Sequence, residues 1–155
     1  MEYTFKYIKR TRELFSWLFD ELSIEQVNQI PEGFNNNIAW NFGHIVVSTQ
    51  SLCYLRTGID KDIQIKYASK YTKGTKPESF ITKEEIEELK EIAKSSIEKI
   101  EQDLKDNKFP SIEAFPTATF GYVMETIEEV ITCSLAHDNL HYGCALGLKK
   151  VVSSK

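Results

Sequence analysis

The chain has 155 residues and a mass of 17.9 kDa, enough for one domain with a hydrophobic core and too few for two. With 41% hydrophobic and 27% charged residues, seven glycines and four prolines, it reads as a folded soluble domain and excludes collagenous and low-complexity chains. A net charge of −4 and a pI near 5.5 deny it the positive field that recruits nucleic acid, so no nucleic-acid partner is expected.

The N-terminal MEYTFKYIKR alternates charged with apolar residues, unlike a signal-peptide core or a spanning segment, so a cytoplasmic protein with no membrane partner is expected. Phe5, Ile8, Phe15, Phe19 and Leu22 recur at helical spacing, widened by Leu14 and Leu18, which predicts an amphipathic helix over 3–21. Arg12 interrupts that stripe, either to meet an anionic substrate group inside the fold or to snorkel from an apolar face. Pro31 and Gly33 mark a turn. Asn35-Asn36-Asn37 then offers an N-cap for a second helix that runs to about Arg56 and ends at Thr57-Gly58.

Residues 58–80 hold Lys61, Lys66, Lys70, Lys73 and Lys76 and no sustained period, which predicts a long connection with room for a short helix. Thr82 and Glu85 form a capping-box pattern for a third helix, with Ile86, Leu89, Ala93, Ile97, Ile100 and Leu104 on its buried face and an end near Asp106-Asn107. A second connection with two prolines follows, free of strand-like alternation of useful length. Thr126 with Glu129 caps a fourth helix to about Lys149. Cys53, Cys133 and Cys144 are odd in number and lack a C-x-x-C pair, so they are expected to be reduced and buried. The expectation is one all-α domain over 1–155, a four-helix bundle with a long crossover between helices two and three.

The chain has three histidines, His44, His137 and His141. On the fourth helix, Ile127, Val130, Ser134, His137, His141, Cys144 and Leu148 are spaced 3, 4, 3, 4, 3, 4, the seam of a bundle helix. Two imidazoles four residues apart share a helix face at about 5–6 Å between Cβ atoms, within reach of one ion. On the second helix, Asn37, Asn41, His44, Ser48 and Ser51 make a polar row bordering the apolar Ile38, Ile45 and Leu52. If the two rows face each other, the histidines form a three-ligand site with an open position; otherwise each is a buried histidine satisfied by hydrogen bonds. A zincin protease does not fit, because Asp138 stands where H-E-x-x-H needs glutamate and only 14 residues follow His141. A di-iron bundle does not fit either, since no histidine has a glutamate three residues before it.

Trp40-Asn-Phe-Gly-His44 and His137-Asp-Asn-Leu-His141-Tyr-Gly143, in this order and with a long connection after the second helix, resemble the DinB-like superfamily across nearly the whole chain. That family includes damage-inducible DinB proteins and thiol-dependent transferases. The resemblance implies a four-helix bundle that binds a divalent metal, zinc or nickel in several members, through His44, His137 and His141, and that commonly dimerises. Characterised members are bacillithiol S-transferases and mycothiol-dependent maleylpyruvate isomerases. Asp138 stands where related chains often carry glutamate, which puts any general-base role there in doubt.

The function expected is that of a divalent-metal-dependent transferase, using a low-molecular-weight thiol, or a hydrolase of a small-molecule substrate, in a homodimer. The alternative is a non-catalytic metal-binding stress-response protein, and beyond it a helical interaction module without metal. Asn41 is expected either to orient an imidazole or bind ligand, or to be a surface or capping amide. Asp138 is expected beside the inward row, as a solvated carboxylate rather than a supporting group or base. Cys144 is expected to pack in the core, the five lysines to form a basic rim or a solvated loop, and Trp40, Phe42, Phe120 and Tyr122 to line a pocket mouth or close the core.

Overall fold

The computed structural model describes residues 1–154 and is mostly helical. Helix α1 spans Glu2–Glu21 and ends where Leu22 turns extended. Ser23 then opens α2 (Ile24–Asn28) with a full capping box, its hydroxyl accepting from Gln26 N while the Gln26 side chain accepts from Ser23 N. This helix is not among those expected above, although Ser23-x-x-Gln26 carries its signature. Helix α3 (Ile38–Gln50) starts at Asn37, whose side chain accepts from Trp40 N. It continues as a π-helical segment, Ser51–Arg56, to the predicted stop at Thr57-Gly58, where Gly58 adopts a φ of 73°.

The first connection contains the short helix α4 (Ala68–Tyr71). Thr82 caps α5 (Lys83–Lys105) by accepting from Glu85 N, but the reciprocal half of the expected capping box is absent. The Glu85 carboxylate is drawn away by the Tyr71 hydroxyl at 2.5 Å and Lys70 Nζ at 2.6 Å. The second connection carries a two-residue antiparallel ladder, β1 (Phe115–Pro116) with β2 (Val123–Met124), too short to register as alternation. Helix α6 (Ile127–Val152) has the complete Thr126/Glu129 box.

The four long helices close a ring, α6 packing on α3 and α1, and α5 packing on α1 and α3. At one end the core is Phe15, Leu18, Ile45, Val46, Leu89, Ala145 and Leu148; at the other it is Ile8, Cys53, Ile97, Ile100, Val130 and Ile131. A polar layer separates them. Arg12 is 3% exposed and donates from Nε to Asp138 Oδ2 at 2.9 Å, from Nη2 to Thr49 Oγ1 at 2.8 Å and from Nη1 to the Ala93 carbonyl at 2.9 Å. One guanidinium thus ties α1 to α6, α3 and α5.

Asp138 is therefore not the solvated surface carboxylate that its sequence position suggested; it is 0% exposed and ion-paired. The reason is pitch. A strict 3-4-3-4 row drifts by about 20° per heptad on a straight helix, and the row α6 buries is Ile127, Val130, Ile131, Ser134, Asp138, Ala145, Leu148 and Val152. The drift that turns Asp138 inward turns Cys144 out, so Cys144 is exposed rather than packed, Cys133 is half-buried, and only Cys53 is buried as expected. Burial lifts the Cys53 thiol to about 12, which keeps it protonated. Among the described residues no helix is long and apolar enough to cross a membrane.

Candidate metal centre

His44 and His141 are each held by a different local device. Asn37 starts α3, and one turn later the Trp40 indole donates to the Lys70 carbonyl at 3.2 Å and to Thr75 Oγ1 at 3.1 Å, drawing the first connection over the helix. His44, a further turn on, stacks on the Trp40 ring at 4.7 Å and donates from Nδ1 to the Tyr71 carbonyl at 2.7 Å. Gly43 makes that approach possible. A Cβ there would lie 2.6 Å from Tyr71 Cδ1, inside the ring's van der Waals surface. Gly43→Ala, which elsewhere in a helix gains about 1 kcal/mol, is expected instead to lower stability by about 1–3 kcal/mol. A urea unfolding midpoint at or above wild type would refute that account.

His137 and His141 are one turn apart on the α6 face toward α3, half-buried beside the fully buried Asp138. The ring centroids lie 5.2 Å apart for His44–His137, 4.6 Å for His44–His141 and 4.6 Å for His137–His141. One ring nitrogen from each falls within 4.8 Å of the other two. Helices α3 and α6 thus bring the three histidines of the sequence together.

The hydrogen bonds fix the tautomers of two rings. A carbonyl oxygen only accepts, so His44 carries its proton on Nδ1 and keeps a lone pair on Nε2. Asn41, 1% exposed, spends its amide nitrogen on the Asn37 carbonyl at 2.7 Å and Asn36 Oδ1 at 3.0 Å, which leaves Oδ1 to accept from His141 Nδ1 at 2.7 Å. His141 therefore also keeps its lone pair on Nε2. Asn41 is neither a surface amide nor the cap; it orients an imidazole, as groups behind metal-binding histidines do. His137 Nδ1 is buried without a hydrogen-bond partner, an orphan that costs about 1–3 kcal/mol unless something coordinates or bonds it. Two lone pairs set by carbonyl acceptors and one orphaned ring nitrogen fit a divalent ion at this point.

Burial and mutual repulsion keep the rings neutral. Burial is the main cause in each, pushing His137 down to about 4 and His141 to about 3, with His44 also below its usual value. Neutral imidazole is the metal-binding form. In metal-free protein, the unfolded chain takes up protons as pH falls below the ordinary histidine value of 6.5, while the folded rings refuse them down to about 3–4. Stability is therefore full above pH 6.5 and lost progressively below it. A loss of about 2 kcal/mol per ring, on the order of 4 kcal/mol for His137 and His141 together, is expected between pH 7 and pH 5, and an unfolding midpoint flat across that range would contradict it.

A cavity of about 560 Å³ opens beside the triad, with His44 and His137 in its wall. Its other lining comes from the π-helical segment, the first connection and the loop 116–120, and includes Arg56, Lys73, Phe120 and Cys133. Asp138 does not line it. The expected basic rim shrinks to one lysine: Lys61, Lys66 and Lys70 pair with Glu113, Glu88 and Glu85, and Lys76 lines a different hollow. Among the aromatics, Phe120 reaches the cavity, Tyr122 borders an adjoining crevice, Trp40 packs on His44, and Phe42 is fully in the core. The Tyr71 carbonyl and Arg56 were not singled out from the sequence; a backbone acceptor has no side-chain signature, and Arg56 looked like an ordinary helix end.

No curated protein matches the chain. The family model described as the DinB superfamily matches residues 7–145, a span that includes all three histidines, Asn41 and the Arg12–Asp138 pair. The chain belongs to the DinB superfamily.

Proposed function

We propose that the protein holds one divalent ion, zinc or nickel, through His44, His137 and His141, and acts as a metal-dependent transferase or hydrolase on a small molecule. The observation that carries this reading is the pair of Nδ1 protons committed to Tyr71 O and Asn41 Oδ1, which leaves a lone pair on each Nε2, that of His44 with the Ser48 hydroxyl at 3.3 Å, in two members of a three-histidine group at the edge of a cavity. Three protein ligands leave a coordination position free, the pattern of catalytic rather than structural sites. A bound ion supplies Lewis acidity and lowers the pKa of a nucleophile that it coordinates, water or a low-molecular-weight thiol. The chain's own residues hold the imidazoles neutral and oriented, and the apolar wall of Val47, Leu52 and Phe120 limits water around the reacting groups. The thiol rests on the superfamily's S-transferases.

The proposal extends to the architecture, a four-helix bundle with its crossover after α3, and to a homodimer in the cytoplasm. Leu140, Leu146 and Val151 on the outer side of α6 are exposed apolar residues that support pairing with a second copy. The test is elemental analysis of untagged protein, followed by a thiol-conjugation assay with a chloro-substituted electrophile, with and without the ion found. One ion per chain and ion-dependent turnover are expected. Protein without stoichiometric metal refutes the reading, and metal without turnover of any thiol or ester substrate favours a non-catalytic metal-binding protein.

A further inference from the structure

The charges around the cavity are not those of the molecule as a whole. The protein is acidic, at −4, yet the charged side chains lining this cavity are Arg56 and Lys73, and no aspartate or glutamate lines it. Both cations are without a carboxylate partner within 4 Å among the described residues. That sets Lys73 apart from its neighbours in the same connection, since Lys61, Lys66 and Lys70 are each neutralised by a glutamate. Of the two lysines of this connection without a carboxylate partner among the described residues, Lys73 and Lys76, Lys73 is the one that lines the cavity.

Arg56 is placed as well as uncompensated. Its guanidinium lies over the Phe115 ring at 4.7 Å, and Nη2 makes a long contact of 3.4 Å with the Pro116 carbonyl. These contacts hold the plane at the rim and leave most of its five N–H donors unused. Lys73 lines the same cavity as His44 and His137. One cation therefore lies beside the histidines and the other on the wall that the π-helical segment builds. Between them the lining is mainly apolar, from Val47, Leu52, Pro116 and Phe120.

We propose that this cavity takes an anionic small molecule, a carboxylate on an apolar body, with Lys73 and Arg56 as its anion-binding groups. The proposal rests on the reading of the cavity as the substrate site of the metal centre. Low-dielectric walls focus the field of the two cations into the cavity, so an anion is concentrated there although the protein repels anions overall. The apolar wall takes the body of the molecule, and a volume of about 560 Å³ fits a ligand in the usual metabolite range.

The test is calorimetric titration of zinc-loaded and metal-free protein with phenylacetate, succinate and acetate, and with phenylacetamide as the neutral counterpart. It is repeated on Lys73→Gln, Arg56→Gln and the double variant, both side chains being exposed enough for the fold to survive. Phenylacetate is expected to bind saturably, more tightly than acetate. Its Kd should rise by about tenfold in each single variant and should weaken between ~50 and ~500 mM NaCl. Phenylacetamide binding as well as phenylacetate would overturn the proposal. So would a double variant that keeps wild-type carboxylate affinity, because the anion would then sit on the ion or elsewhere, and so would no binding by any of the three acids at about 10 mM. Zinc content measured on the same samples separates the two readings: binding that depends on Lys73 and Arg56 in protein that takes up no zinc upholds the anion site and refutes the metal centre.

Discussion

Replacing Arg12 with leucine is expected to lower folding stability by about 3–5 kcal/mol. The substitution would strand Asp138, 0% exposed, whose Oδ1 already has no partner and whose Oδ2 would lose the guanidinium at 2.9 Å. It would also remove the Arg12 donor from Thr49 Oγ1 and from the Ala93 carbonyl. Burial already lifts the Asp138 carboxyl above its usual range, with the Arg12 charge opposing, so the stranded acid is expected to fold protonated. The combined Arg12→Leu, Asp138→Leu protein should recover most of the loss, because apolar groups of similar volume remove the need for compensation altogether. Urea unfolding of the three proteins decides the matter. A single variant within about 1 kcal/mol of wild type would mean that water, not the ion pair, satisfies this layer. Metal content retained in the double variant would show that Arg12 and Asp138 hold helices rather than the ion.

Removing any one of the three histidines should abolish stoichiometric metal binding. With zinc at about a thousand times its Kd, binding to the folded state adds about 4 kcal/mol, or about 10 °C in Tm for a chain of this size. His44→Ala, His137→Ala and His141→Ala are each expected to lose that increment while keeping helical circular dichroism without metal. The metal-free His137→Ala protein should even gain acid stability, since one ring that resists protonation in the fold has gone. Asn41→Leu offers a milder check: it leaves all three ligands in place but removes the acceptor that sets the His141 tautomer, for an expected loss of about 10–100-fold in zinc affinity. Zinc-induced stabilisation that survives in the alanine variants would place the ion elsewhere.

Much of this molecule was legible from local signals. The Thr126/Glu129 box, the stop at Thr57-Gly58 and the amphipathic faces of α1 and α5 act within a few residues and appear as expected. The polar row on α3 and the four-residue histidine spacing on α6 singled out the side chains that meet, but left open whether the two rows face each other. Where the expectations failed, a competing long-range partner was the cause. Glu85 left its capping box for Tyr71 and Lys70, and three lysines that looked like a basic rim had found glutamates up to 52 residues away in sequence.

The sequence by itself determined the helices, the pairing of His137 with His141 on one face, and the presence of His44 on a second polar face, because helical periodicity is a property of neighbours along the chain. Tertiary structure alone decided that Asp138 is buried and Cys144 exposed, since that depends on how a helix of 3.6 residues per turn is rotated against three others. It decided too that Arg12 is a central tie rather than a snorkelling side chain, because the groups that satisfy it lie on α3, α5 and α6. The tautomers that leave lone pairs on His44 and His141 come from a backbone carbonyl 27 residues away and an amide 100 residues away. No spacing rule reaches that far, and those two hydrogen bonds leave lone pairs on His44 and His141 for the ion proposed here.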